Sequence, residues 1–179
     1  MKPKIVIVGA GGHGKVVCDA VLSQAKYEIV GFFDATMLVG TVVMNDYKVI
    51  ASQNDLGNLN NFADYFIVAI GNNLVREKIF HNLNQILKPA IIIDPSAVIA
   101  KNILIGDGTV CLANSVVSVN CNIGNNVIIN SGVIIDHECI IGDHVRLSIG
   151  TKVGSNSTLA NSVTTQIGEI IQPFSKLIA

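Results

Sequence analysis

Charge is scarce in this chain. Only 14% of its 179 residues are charged, and the formal net charge is −1. So few basic residues leave no electrostatic footprint for nucleic acid or an anionic membrane. Long apolar runs are missing as well, although half of the residues are hydrophobic. The longest candidate, residues 90–100, is interrupted by Asp94 and Pro95, so no transmembrane helix is expected. The N-terminus runs straight into a strand and a glycine loop, unlike a signal peptide, which makes the cytoplasm the expected location. The four cysteines, Cys18, Cys111, Cys121 and Cys139, form no CxxC pair and no zinc spacing. Reduced thiols acting as small hydrophobes are expected. Aromatic residues all but stop at Phe80; only Phe174 follows.

What fills the aromatic-poor half is a beat. Ile99, Ile105, Cys111, Val117, Ile123, Ile129, Ile135, Ile141, Leu147, Val153 and Leu159 are spaced six apart, and all are apolar. A period of eighteen lies on top of it: Ile105-Gly106, Ile123-Gly124 and Ile141-Gly142 repeat one dipeptide, and Gly150 follows Gly132. Three beats to a turn describe a triangular coil with one short strand per side. Asp94-Pro95-Ser96 marks its entry. After Leu159 the next position is Thr165, and an Ile-Gly pair returns only at Ile167-Gly168, two out of register. Residues 169–179, with Pro173, are therefore expected to form a divergent tail. Cys121 and Cys139, eighteen apart, should sit one above the other on adjacent coils.

Residues 1–90 alternate between strand and helix patterns, which implies a parallel sheet with helices packed on it. Strands are expected at 4–8, 28–33 and 65–70, a short one at 48–51, and helices at 16–24 and 74–87. The second helix should present Leu74, Ile79, Leu83 and Ile86 on or near one face. Two domains follow, 1–90 and 91–179.

Gly9-Ala10-Gly11-Gly12-His13-Gly14 stands between the first strand and the first helix, and Asp34 follows at the end of the second strand. Such a loop lets a phosphate approach the backbone at a helix N-terminus, and an acid so placed can accept from a ribose or a base. A plain glycine turn would look the same. A six-stranded dinucleotide domain does not fit 90 residues, so a mononucleotide or nucleotide-sugar is favoured over a nicotinamide cofactor. Gly71-Asn72-Asn73, with Arg76 one turn on, ends another strand, where open parallel sheets bind ligands. Asn72 is equally a helix cap.

Asp136-His137-Glu138 is the densest ionisable cluster of the second half. Two residues past the inward Ile135, His137 should stand near a corner. A neutral imidazole beside a carboxylate is a general base; a merely polar corner is the alternative. His81 and His144 read as surface residues, and no metal site is expected.

GAGGHGKVV (Gly9 to Val17), FFD (Phe32 to Asp34), AIGNNLVREKI (Ala69 to Ile79) and NSGVIIDHECIIGDHV (Asn130 to Val145), in that order, resemble one family. It is the hexapeptide-repeat sugar acetyltransferases of the sialic acid O-acetyltransferase and bacillosamine N-acetyltransferase type, and the resemblance covers residues 3–160. It implies an α/β Rossmann-like N-terminal domain followed by an all-β left-handed parallel β-helix. It implies homotrimers with acetyl-CoA between neighbouring β-helices, acting on a sugar or nucleotide-sugar in surface-glycan biosynthesis. By match, Gly11, Gly12 and His13 would hold the sugar nucleotide, with Asp34, Gly71 and Asn72 beside it. His137 would be the base, supported by Glu138 or by Asp136. Arg146, where the family often has a second histidine, and Ser155 would meet the cofactor. Family members usually run one or two further coils that help cradle CoA. A shortened coil would leave a catalytically impaired nucleotide-sugar binder as the alternative function.

Overall fold

Ile5, Val6, Ile7 and Val8 are fully buried, as expected for a strand with β-branched residues between two layers. They belong to β1 (Lys4–Val8), which leads into α1 (Gly12–Gln24) and β2 (Glu28–Phe33). β3 (Val42–Met44), β4 (Tyr47–Ala51), a 3-10 segment (Gln53–Asn61), β5 (Tyr65–Val68), α2 (Asn73–Leu83) and β6 (Lys88–Pro89) complete the first unit. The sheet order is β3-β4-β2-β1-β5-β6, parallel except for β3 against β4. The computed structural model describes residues 1–178 and divides into two units, Met1–Ile92 and the chain from Ile93 onward.

Several sequence expectations shift here. α1 starts at Gly12, not at Val16, because the glycine loop itself becomes its first turn and Gly11 its N-cap. α2 ends at Leu83, and Leu74 is 75% exposed. Its buried face is Arg76, Phe80 and Leu83, spaced i, i+4, i+7, which places a cation where apolar periodicity had placed Leu74 and Ile86. β3 escapes sequence reading because it is a three-residue edge strand, closed onto β4 through Asn45 at φ +50. The sheet does reach six strands, but β3 and β6 are only three and two residues long.

The second unit is a left-handed parallel β-helix. Its strands are two residues long, and each pairs in parallel with the strand eighteen residues away, as Ile134–Ile135 does with Val116–Val117 below and Lys152–Val153 above. The second residue of each strand points inward. Cys111, Val117, Ile123, Ile129, Ile135, Ile141, Leu147, Val153 and Leu159 are all at most 2% exposed. Ile99 and Ile105, in the lowest coil, are partly buried against them.

The coil does not fail after Leu159. Ile170–Ile171 pairs with Lys152–Val153, and Lys176–Leu177 with Thr158–Leu159, still eighteen apart. Thr165 takes the inward place between Leu159 and Ile171 and is 3% exposed. Its hydroxyl accepts from the Ser148 N–H at 2.8 Å and pairs with the Thr151 hydroxyl at 2.8 Å. A satisfied hydroxyl thus replaces the expected aliphatic group. The Ile167-Gly168 pair that looked like a slipped register is a corner, and Pro173 lies in the next corner rather than in a strand.

Those corners obey a second period of six. Asn102, Gly108, Asn114, Asn120, Asn126, Gly132, Glu138, His144, Gly150, Asn156, Ser162, Gly168 and Phe174 all have φ between 54° and 72°. Asn and Gly dominate because they enter the left-handed region at least cost. The glycines of the Ile-Gly pairs serve differently. A Cβ on Gly142 would meet Asn161 Oδ1 at 2.5 Å and Asn161 N at 2.7 Å, so close stacking excludes it.

Gly142→Ala should therefore lower stability by about 1–3 kcal/mol. Gly132→Asn, at φ +69 with open space around it, should change it by less than about 0.5 kcal/mol. Urea unfolding of the two variants checks both figures.

Candidate functional site

Two sites emerge, one in each unit. In the first, β1 delivers the glycine loop to the N-terminus of α1, and β2 and β5 end beside it, an arrangement that favours an anion. A cavity of about 400 Å³ opens there, lined by Gly9, Gly11, Gly12, His13, Phe33, Asp34, Ala35, Thr36, Ala69, Ile70, Gly71, Val75 and Ile79. The glycines divide the labour. A Cβ on Gly14 would overlap the Gly9 carbonyl, so that residue closes the turn. A Cβ on Gly11 or Gly12 would meet nothing within 4 Å, so their bare backbone borders free space.

Asp34 is more committed than its position in the sequence suggests. Its Oδ2 accepts from Ala10 N–H at 2.9 Å, tying β2 to the glycine loop. Its Oδ1 accepts from Thr36 N–H at 2.9 Å, the Thr36 hydroxyl at 2.8 Å and Met37 N–H at 3.1 Å. Partial burial works to raise its pKa, but these hydrogen bonds outweigh it and hold the carboxyl below its ordinary value. Asn72 caps α2, its side-chain oxygen accepting from Val75 N–H at 3.0 Å. Arg76, fully buried, donates from Nη1 to Ile70 O at 3.1 Å and Gly71 O at 3.3 Å. It braces the β5–α2 turn that forms one wall of the cavity. The sequence marks Arg76 but not this role; a cation set among apolar α2 positions is the available signal.

The second site is the corner between Ile134–Ile135 and Ile140–Ile141. Its backbone is pinned from both sides: Glu138 N–H donates to Val119 O at 3.1 Å, and Asn156 N–H to His137 O at 3.0 Å. Asp136 Oδ1 accepts from the His137 backbone N–H at 2.8 Å. Glu138 Oε2 lies 3.3 Å from His137 Nδ1, with both side chains about half exposed. The two acids named by the sequence thus separate, Asp136 toward the backbone and Glu138 toward the ring. A carboxylate accepting at Nδ1 puts the proton there and leaves Nε2 as the basic nitrogen. Glu138 occupies its corner at φ +60, a conformation that costs a non-glycine residue roughly 1–3 kcal/mol. Below the corner, a groove of about 420 Å³ is lined by Val98, Ala100, Val116, Val117, Ser118, Val119, Asp136 and His137.

Cys121 and Cys139 sit directly inside this corner as buried free thiols. They donate to Asp136 O at 3.0 Å and Gly154 O at 3.3 Å. Ser157, next in the column, does the same to Gln172 O at 3.1 Å. Ser155 stands one coil above His137, eighteen residues on. Arg146 does not join them: it faces outward from a different side, in the strand Arg146–Leu147 that pairs with Ile128–Ile129. His81 is at the surface beside Glu77, 3.8 Å away. His144 is not: it is 5% exposed, with Nδ1 2.8 Å from Asn126 Nδ2. The two residues occupy stacked left-handed corners, which brings their side chains together.

The family described as PglD N-terminal domain matches residues 4–83. UDP-N-acetylbacillosamine N-acetyltransferase of Bacillus subtilis is 30% identical over 115 residues, which is 61% of this chain and 51% of that one. The match thus spans about half the length of that relative. The acetyltransferase domain of PglB from Neisseria gonorrhoeae is 30% identical, covering 99% of this chain and 89% of that one with a TM-score of 0.73. The same domain has also been solved with acetyl coenzyme A. PerB from Caulobacter crescentus, in complex with CoA and GDP-perosamine, is 25% identical over 98% of this chain and 90% of that one, with a TM-score of 0.73. Among the described residues, no helix is long and apolar enough to cross a membrane.

The stabilisation from Asp34 has a defined pH window. A lowered carboxyl pKa contributes fully above the unfolded value of about 3.9 and is lost as pH falls through the folded value. Asp34→Asn should therefore lower stability at pH 6, and its deficit against the wild type should start to shrink only as pH falls below about 3.9, as read by urea unfolding from pH 6 downward.

Proposed function

The chain belongs to the hexapeptide-repeat sugar acetyltransferases, and on that premise we propose that it transfers the acetyl group of acetyl-CoA to a nucleotide-linked sugar. The acceptor group is an amine or a hydroxyl, and the N-acetyltransferase relative favours the amine. The observation that carries this reading is the exposed His137 ring on the coil edge, with the Glu138 carboxylate 3.3 Å from Nδ1. The first unit anchors the nucleotide, with phosphates at Gly11, Gly12 and His13 and the base in the apolar part of the cavity. Gly71 and Asn72 border it. Asp34 supports this site chiefly by holding the loop.

At the second site, Nε2 of His137 takes the proton from the acceptor as its nitrogen or oxygen attacks the thioester carbonyl. The tetrahedral intermediate collapses, the carbon–sulfur bond breaks, and the imidazolium returns the proton to the departing thiolate. Glu138 steadies the imidazolium formed in between. No covalent bond to the protein is made. In this reading Ser155, one coil above His137, meets the donor. Arg146, on another side of the coil, serves the donor only from a neighbouring chain, which fits a homotrimer with the donor between β-helices. A cytoplasmic location and a role in surface-glycan synthesis complete the proposal, since both activated substrates are made in that compartment. The impaired-binder alternative rested on a coil that stopped at Leu159, and Ile170–Ile171 and Lys176–Leu177 continue it.

The test is thiol release from acetyl-CoA with a panel of amino-sugar nucleotides. His137→Ala should lose about 10²–10⁴-fold in turnover while binding the nucleotide-sugar as the wild type does. Turnover that survives this change would overturn the assignment.

A further inference from the structure

The corner column that carries Glu138 ends on a residue that the coil geometry disfavours. Asn102, Asn120, Glu138, Asn156 and Phe174 stand eighteen apart, with φ between 57° and 62°. Asparagine suits that conformation; a bulky phenylalanine is an outlier in it. The corner is not frayed, because Phe174 N–H donates to Ser155 O at 2.9 Å in the coil below. Nor does packing within the chain offset the strain, since Phe174 is 73% exposed. It is also the only aromatic residue after Phe80. Strain and an aromatic ring in water therefore coincide at one residue, on the edge that bears His137. Coils stack at about 4.8 Å, which puts the Phe174 corner about 10 Å above the Glu138 corner.

We propose that Phe174 is a specificity-determining contact for the pantetheine arm of the acyl donor; this rests on the acetyl-CoA reading above. The arm is an extended chain of two amides and a gem-dimethyl carbinol, longer than two coil spacings. A donor with its thioester at His137 and its arm running up this edge passes Ser155 and then meets the Phe174 ring before its phosphates. The ring covers the apolar dimethyl portion, and the left-handed corner turns the side chain outward instead of into the stack.

Calorimetric titration with CoA and steady-state kinetics test this. Phe174→Ala should raise the CoA Kd and the acetyl-CoA KM by roughly three- to tenfold, leaving the nucleotide-sugar KM and the saturated rate within about twofold. Phe174→Leu should recover part of the loss. Phe174→Asn, matching its column, should raise Tm yet bind CoA as weakly as Phe174→Ala, a split that a purely structural role would not produce. Lys101→Ala, two coils below His137, should leave CoA binding unchanged. The proposal is overturned if Phe174→Ala binds CoA like the wild type, if Lys101→Ala carries the loss instead, or if Phe174→Ala changes the oligomeric state. Wild-type turnover abolished by His137→Ala but indifferent to Phe174 would sink this inference alone. A wild type that binds no CoA would remove the acetyl-CoA reading and this inference with it.

Discussion

Everything in the second unit depends on one repeated interaction, the parallel main-chain pairing that sets residues eighteen apart in register. It sets the vertical columns. Once Ile135 is stacked on Val117 and under Val153, the next residues around the corner have no freedom left. Asp136 must sit above Ser118, His137 above Val119 and Glu138 above Asn120. The His137 imidazole is thus positioned by the backbone of three coils, not by its own side-chain contacts. A side chain on a wall this stiff needs little further support, and the half-exposed Glu138 carboxylate attends this ring.

The first unit reaches rigidity by another route. There the cavity is bordered by loops, and loops need braces. Asp34 binds the glycine turn to the end of β2, and Arg76 holds the carbonyls between β5 and α2. Both are charged groups committed to backbone rather than to solvent. A polar residue in such a crevice can therefore serve a ligand indirectly, by fixing the amides and carbonyls around it.

How far the sequence discloses this differs between the units. The six-residue beat identifies the coil because inward positions admit only a narrow class of side chain, and a fixed period repeats that restriction many times. The beat is lost at Thr165 because hydropathy alone cannot see a hydroxyl satisfied by Ser148 and Thr151. The companion rhythm of asparagines and glycines at the corners is quieter, although it runs to residue 174. His137 is legible as the one histidine flanked by two acids. What each acid does is not, since that depends on rotamers. The family resemblance groups Arg146 with His137, but nine residues are half a turn of an eighteen-residue coil, so it faces away from that corner. His144 reads as a surface residue because its partner Asn126 lies in the coil below, eighteen positions distant.

The vertical columns also govern how such a chain can evolve. A coil bonds only to the one beneath and the one above, so duplicating a whole turn lengthens the prism and leaves every existing column intact. An insertion of any other length must bulge out at a corner or scramble all columns beyond it. Growth by complete turns lets lineages vary the length of the edge above an unchanged corner, and with it the surface that the edge presents.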